Sequence, residues 1–326
     1  MPERDRESAR PGTWTQDGIA RRQGSLGQGT LGRWVVGASA GDIAIVATAA
    51  LSVLALIVIA ALVPRQAVEK TPSNATFHAG LIISDAAFYN PGTMTGDQVQ
   101  RFLESKPCEP VDGAPCLADY RQDTPDEPMQ YAHCAAYHGE KGQRASSIIV
   151  SVARACRISP KVLVVLLQKE QSLITHPSPY GYERATGYGC PDTAACDADY
   201  FGFFNQLYNA AWQFREYTVG GTSWRYHVGK VPILYNPKPS CGSSVVDIRN
   251  QATANLYNYT PYQPSPETVQ HPDVVTDCST FGNLNFWRLY TSWFGSPLVV
   301  PFPAQYEGCL NLTDGARCYT NPLTGL

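Results

Sequence analysis

The sequence predicts a mainly α-helical, disulfide-stabilised extracytoplasmic domain behind a single N-terminal transmembrane helix. Three observations carry that reading. Ten cysteines, an even number, all lie between Cys108 and Cys318, and the first hundred residues have none. A run without charge, Ile43 to Val63, precedes them. Apolar residues then recur at helical spacing in segment after segment up to Phe294.

The first 42 residues are polar and rich in Gly, Arg, Ser and Gln, with no apolar periodicity. They are expected to form a disordered cytoplasmic tail. Residues 43–63 follow as the membrane span. At about 1.5 Å per residue their length matches a hydrocarbon core of roughly 30 Å. A cleaved signal peptide normally has a shorter apolar region behind a shorter leader. The charge bias across the span is weak, with Arg21, Arg22 and Arg33 before it and Arg65 and Lys70 after it. The cysteines orient it better. Disulfides persist in oxidising compartments, so the cysteine-bearing side faces out of the cell. Residues 64–80 are expected to be a stalk, 81–296 the ectodomain and 297–326 a proline-rich tail with one small disulfide loop.

Near neighbours suggest the pairing Cys108–Cys116, Cys134–Cys156, Cys190–Cys196, Cys241–Cys278 and Cys309–Cys318, one connectivity among many. Zinc is the alternative use of cysteine. No CxxC pair or HExxH occurs, and His133, Cys134 and His138 are the nearest thing to a ligand cluster. No metal and no cofactor are expected. The net charge of -3 gives no reason to expect nucleic acid.

Within the ectodomain, Thr95-Gly-Asp-Gln98 is a capping box opening a helix through Leu103. A second helix is expected near 145–155, with Ile148, Ile149 and Val152 on one face and Cys134 and Cys156 bracketing it. The third is the most informative. Ser159 is a good N-cap and Pro160 fits the first helical position. Val162 to Leu167 are all apolar, which predicts a helix buried on most sides. Glu170 follows at i+4 from Leu166 and i+3 from Leu167, which sets one carboxylate on the apolar stripe. Carboxylates desolvated in that way hold a proton more readily, as a general acid must. The alternative is a glutamate turned to solvent beside Lys169. Residues 181–200 read as an irregular loop. A helix is expected over 205–217, a short hairpin over 223–235, and helices near 246–257 and 283–294.

Two of these segments resemble the lytic transglycosylase branch of the lysozyme-like superfamily, an α+β fold. Ile158-Ser-Pro-Lys-Val-Leu-Val-Val-Leu-Leu-Gln-Lys-Glu-Gln-Ser-Leu resembles the family helix that ends in a catalytic glutamate. Tyr200-Phe-Gly-Phe-Phe-Asn-Gln-Leu-Tyr-Asn-Ala-Ala-Trp212 resembles its Gly-Leu-Met-Gln stretch and following tryptophan. Gly202, Gln206 and Trp212 match if Asn205 is one inserted residue. More closely, the run from Ile82 to Ser296 resembles actinobacterial wall-associated proteins often labelled haemagglutinin-like. Their shared stretches include Ala-Thr-Gly-Tyr-Gly-Cys-Pro-Asp-Thr and Leu-Tyr-Asn-Tyr-Thr-Pro-Tyr-Gln-Pro.

The resemblance implies cleavage of the MurNAc–GlcNAc β-1,4 bond in peptidoglycan glycan strands. Glu170 would be the acid and then the base, giving a 1,6-anhydro product. It implies Gln206, Asn205, Tyr188 and Tyr235 as cleft-lining residues. A lysozyme would need a second carboxylate. Asp192 heads that set, with Asp197, Asp199 and Glu183 behind it. A catalytically inactive glycan-binding or adhesive ectodomain on the same scaffold is the alternative function. Thr276-Asp-Cys278-Ser-Thr-Phe-Gly resembles the nucleophile motif of Cys/His endopeptidases, but all six histidines precede Cys278, which is therefore read as disulfide-bonded.

Overall fold

The computed structural model describes residues 77–191 and 194–299. The expected tail, membrane span, most of the stalk, Asp192 and the Cys309–Cys318 loop lie outside the described residues. No described helix is long and apolar enough to cross a membrane. The described chain is mainly helical and cross-linked by four disulfides.

The elements run α1 (Asp85–Phe88), α2 (Gly96–Glu104), β1 (Arg121–Gln122), β2 (Gln143–Arg144), α3 (Ala145–Cys156), α4 (Pro160–Gln171), α5 (Pro179–Glu183), α6 (Phe203–Gly220), β3 (Gly229–Leu234), β4 (Ser243–Ile248), α7 (Gln251–Tyr259), α8 (Pro266–Gln270) and α9 (Gly282–Phe294). The Thr95 capping box forms as the sequence indicates, with the Thr95 and Gln98 side chains each accepting from the other's backbone N–H. Ser159 does stand at the N-cap of α4, but its hydroxyl meets Thr93 Oγ1 at 2.7 Å instead of capping a helix N–H.

α4 is the pillar of the core. Every residue from Val162 to Leu167 is buried, because α3 and α9 pack against it. α6 packs on α3 and carries Phe204, Leu207, Ala211 and Phe214 into the same core. A fully buried Leu or Val side chain stabilises by roughly 1.5–3 kcal/mol, so this six-residue run dominates local stability. Both α3 and α4 stop at a non-glycine residue in left-handed conformation, Arg157 at φ 57° and Ser172 at φ 54°. Each cap N–H closes back on the last turn and ends the helix sharply.

The β content differs from expectation. Gly221–Ser223 is a short 3-10 helix and 224–228 an irregular stretch, and β3 pairs with a downstream strand, β4, in antiparallel register from Gly229↔Ile248 to Leu234↔Ser243. β4 takes the start of the segment expected as a helix from Val246, and α7 begins only at Gln251. The reason is local: Asn250 caps α7 by accepting from Thr253 N–H, which forces the chain to be extended before it. The fold also begins earlier than the expected stalk boundary. Phe77 packs edge-on against Trp287 at 5.9 Å, and the Ala79 carbonyl accepts from the Tyr257 hydroxyl. At the other end, the Pro297 carbonyl accepts from the Ser84 N–H at 3.1 Å.

The four disulfides within reach are the expected neighbours. Cys134–Cys156 brackets α3, and Cys241–Cys278 ties the hairpin end to the loop before α9. Cys278 is thus a cystine and not a free thiol.

Candidate active site

The last turn of α4 carries the two charges of the site. Lys169 donates to Glu170 Oε1 and, at 2.9 Å, to Thr260 Oγ1 at the end of α7. The Lys169 side chain is 7% exposed and that of Glu170 is 23% exposed. This corrects the sequence expectation on both sides. Glu170 is neither isolated on an apolar stripe nor turned fully to solvent; its neighbour folds back over the helix end and pairs with it. Gly282, at the start of α9, makes room for that arrangement. A Cβ there would stand 2.5 Å from Thr260 Cγ2. Among the described residues, Glu170 Oε2 takes no hydrogen bond.

One tyrosine, Tyr259, lies beside the carboxylate, and Tyr217 and Tyr188 lie near Tyr259 in turn. Tyr259 donates from its hydroxyl to the Thr186 carbonyl at 2.7 Å and stacks on Phe214. Burial pushes its phenol well up, and the Glu170 carboxylate beside it pushes the same way. Tyr188 is raised by burial and then by Tyr200, whose ring meets it edge-on at 4.8 Å. Tyr217 is pushed up to about 12 by burial and then by Tyr188. Trp224 packs edge-on against Tyr217. All these phenols stay protonated and neutral across the physiological range, so they serve as hydrogen-bond donors and as apolar faces.

The loop that carries Thr186 and Tyr188 is held by Gln206. This residue was expected to line the cleft, but it is fully buried and its amide is committed. Its Oε1 accepts from the N–H of Thr186 and of Tyr188, and its Nε2 donates to the carbonyls of Tyr188 and Tyr200. Gln206 therefore positions the cleft wall rather than facing a ligand. Arg184 adds a second clasp, stacked 4.2 Å from the rings of both Tyr180 and Phe201. Gly202, at φ 102°, starts α6 in a conformation that suits glycine.

Other expected residues fall elsewhere. Asn205 donates to the Phe201 carbonyl and braces its own turn. Tyr235 sits at the end of the β3–β4 hairpin, beside a separate pocket of about 290 Å³ shared with Phe77, Gln263 and Val269. Of the second-carboxylate set, Asp197 is exposed and caps a turn by accepting from the Asp199 N–H, and Glu183 pairs with Arg184. Among the described residues no group of three or more His, Cys, Asp or Glu side chains is gathered as metal ligands would be. His133 instead bonds Glu216 and stacks on Trp212.

Sequence reasoning did not assign roles to Lys169, Thr186, Tyr217, Tyr259 or Thr260. The one signal for two of them was their place within Leu256-Tyr-Asn-Tyr-Thr-Pro-Tyr262. Chemically, the site offers one partly exposed carboxylate whose Oε2 takes no hydrogen bond among the described residues, with an ammonium paired to its other oxygen. Compared with known proteins, the chain matches no family model, no curated protein and no solved structure.

Proposed function

We propose that this chain is a membrane-anchored, extracytoplasmic glycosidase of the lytic transglycosylase type, acting on the β-1,4 bond of peptidoglycan glycan strands. The observation that carries the reading is Glu170: a carboxylate at the end of a buried helix, beside the Tyr259 phenol, with Oε2 taking no hydrogen bond among the described residues. In this reading Glu170 delivers a proton through Oε2 to the glycosidic oxygen as the bond to C1 breaks. The same carboxylate then takes the proton of the muramic 6-hydroxyl, whose oxygen closes on C1. One carboxylate suffices for that route, whereas a lysozyme route needs a second at a defined spacing. Among the described candidates for a second carboxylate, Asp197 holds a turn and Glu183 pairs with Arg184, while Asp192 lies outside the described residues.

A second reading has its own support. The Lys169–Glu170 pair, anchored to Thr260, occupies Oε1 and would suit a cleft kept for binding glycan without cutting it. The test is to incubate the full-length chain, in a neutral detergent, with purified peptidoglycan and to identify the released muropeptides by mass spectrometry. Anhydro-muropeptides that disappear with Glu170→Gln support the proposal. Reducing-end products instead would mean a lysozyme with a second carboxylate. Co-sedimentation with the wall without any release would leave the binding reading.

A further inference from the structure

At the closed end of the β3–β4 hairpin the fold leaves a cavity of about 290 Å³, and Glu170 is not among the residues that line it. None of its lining residues carries a charge, and two are aromatic, Phe77 and Tyr235. Two prolines and Val269 extend the apolar wall. A phosphate, a carboxylate or a metal ion would find no charged partner there. The volume lies at the lower end of the range for small-molecule sites, roughly 300 Å³ upward, and suits one small ring.

The walls are held in place before any ligand arrives. The Tyr235 N–H donates to the Gly242 carbonyl at 3.0 Å, and the Tyr235 carbonyl accepts from the Thr280 hydroxyl at 2.7 Å. The Cys241–Cys278 cystine ties the same two stretches together. The half-buried Tyr235 side chain is left over from this frame: among the described residues no other ring packs on it and its hydroxyl makes no hydrogen bond. Gln263 Nε2 donates to the Ile233 carbonyl at 2.8 Å and to Ser244 Oγ at 2.9 Å. Those bonds fix its amide and leave Oε1 without a donor among the described residues. The Ser244 hydroxyl accepts one of them and donates none among the described residues, so its proton is available. The cavity thus offers one donor and one acceptor side by side, next to an aromatic ring. Two adjacent hydroxyls of a sugar, each able to donate and to accept, match that pair, and the C–H face of the sugar matches the ring. A proline-rich peptide would also suit the apolar wall, but a prolyl nitrogen carries no N–H for Gln263 Oε1.

We propose that this cavity binds one uncharged pyranose ring, with its C–H face on Tyr235 and two adjacent hydroxyls on Ser244 Oγ and Gln263 Oε1. The site is separate from Glu170 and requires no glycan cleavage. To test it, the full-length chain is held in a polyoxyethylene detergent, which carries no sugar of its own. N-acetylglucosamine and methyl β-glucoside are titrated in and followed by saturation-transfer NMR, with a proline-rich tetrapeptide as the rival arm. The expected result is saturable sugar binding with a Kd of roughly 1 mM, ordinary for a ligand of this size. Tyr235→Ala should weaken it about tenfold through the lost ring face, and Ser244→Ala about fivefold through the lost donor. Val269→Trp, which fills the cavity, should abolish it. Should Tyr235→Ala fail to fold, Ser244→Ala and Val269→Trp decide the matter. The proposal is overturned by the absence of saturable sugar binding, by sugar binding that the folded variants leave unchanged, or by binding of the tetrapeptide alone.

Discussion

Gln206 and Gln263 are both buried glutamines that hold a loop in place, and their settings differ. Gln206 holds the loop at Thr186, Tyr188 and Tyr200, whose described residues form no strand pairing. Gln263 donates to the carbonyls of Ile233 and Ser244 inside a hairpin that an antiparallel ladder of six register pairs already fixes. The same residue type is thus indispensable in one place and supplementary in the other. Backbone groups satisfied by a ladder tolerate the loss of an extra donor. Those satisfied by a single amide do not.

Substitution should break the comparison in a graded way. Gln206→Leu is expected to be the most damaging change. It strands the N–H groups of Thr186 and Tyr188 and two carbonyls, at about 1–3 kcal/mol for each orphaned group. A total loss of about 4 kcal/mol or more should be read as a lower urea midpoint with the disulfides intact. Removing the short cross-link in the same loop, as Cys190→Ala with Cys196→Ala, should cost about 2 kcal/mol by the loop-entropy argument. If the double alanine proves costlier than Gln206→Leu, the loop is held by its cystine and not by the amide. Gln263→Leu should cost only about 1 kcal/mol, and amide exchange across β3 and β4 should remain slow. The smallest effect is expected from Tyr259→Phe, about 0.5–1 kcal/mol for the single bond to the Thr186 carbonyl. Its informative readout is muropeptide release, which should fall if Tyr259 lines a working cleft.

The two glutamines also show what was legible in the sequence. Helix periodicity and capping placed α2, α3, α4 and α6 within a few residues, because those signals are local. The cystines followed from nearest-neighbour spacing for the same reason. The pairing of β3 with β4 was not legible, since β4 is short and runs directly into the cap of α7. Gln206 stood out by motif, yet a motif gives identity and not direction, and its side chain points into the loop rather than the cleft. Lys169 entered the sequence reading only as the neighbour of a solvent-facing Glu170, and adjacent helical residues ordinarily diverge. At a helix end the long lysine stem can fold back, and Thr260, 91 residues away, draws it there. Contacts across such separations leave no pattern in a single chain.

The bond between the Ser84 N–H and the Pro297 carbonyl, 213 residues apart, puts the entry and exit of the fold side by side. The described part of the chain therefore begins and ends at neighbouring points. A circularly permuted gene should exploit this, with a short bridge joining the two ends and new termini opened at Met129, which is 70% exposed and lies outside every cystine-closed segment among the described residues. Such a permutant should reach the same core, with its termini at a different point on the surface.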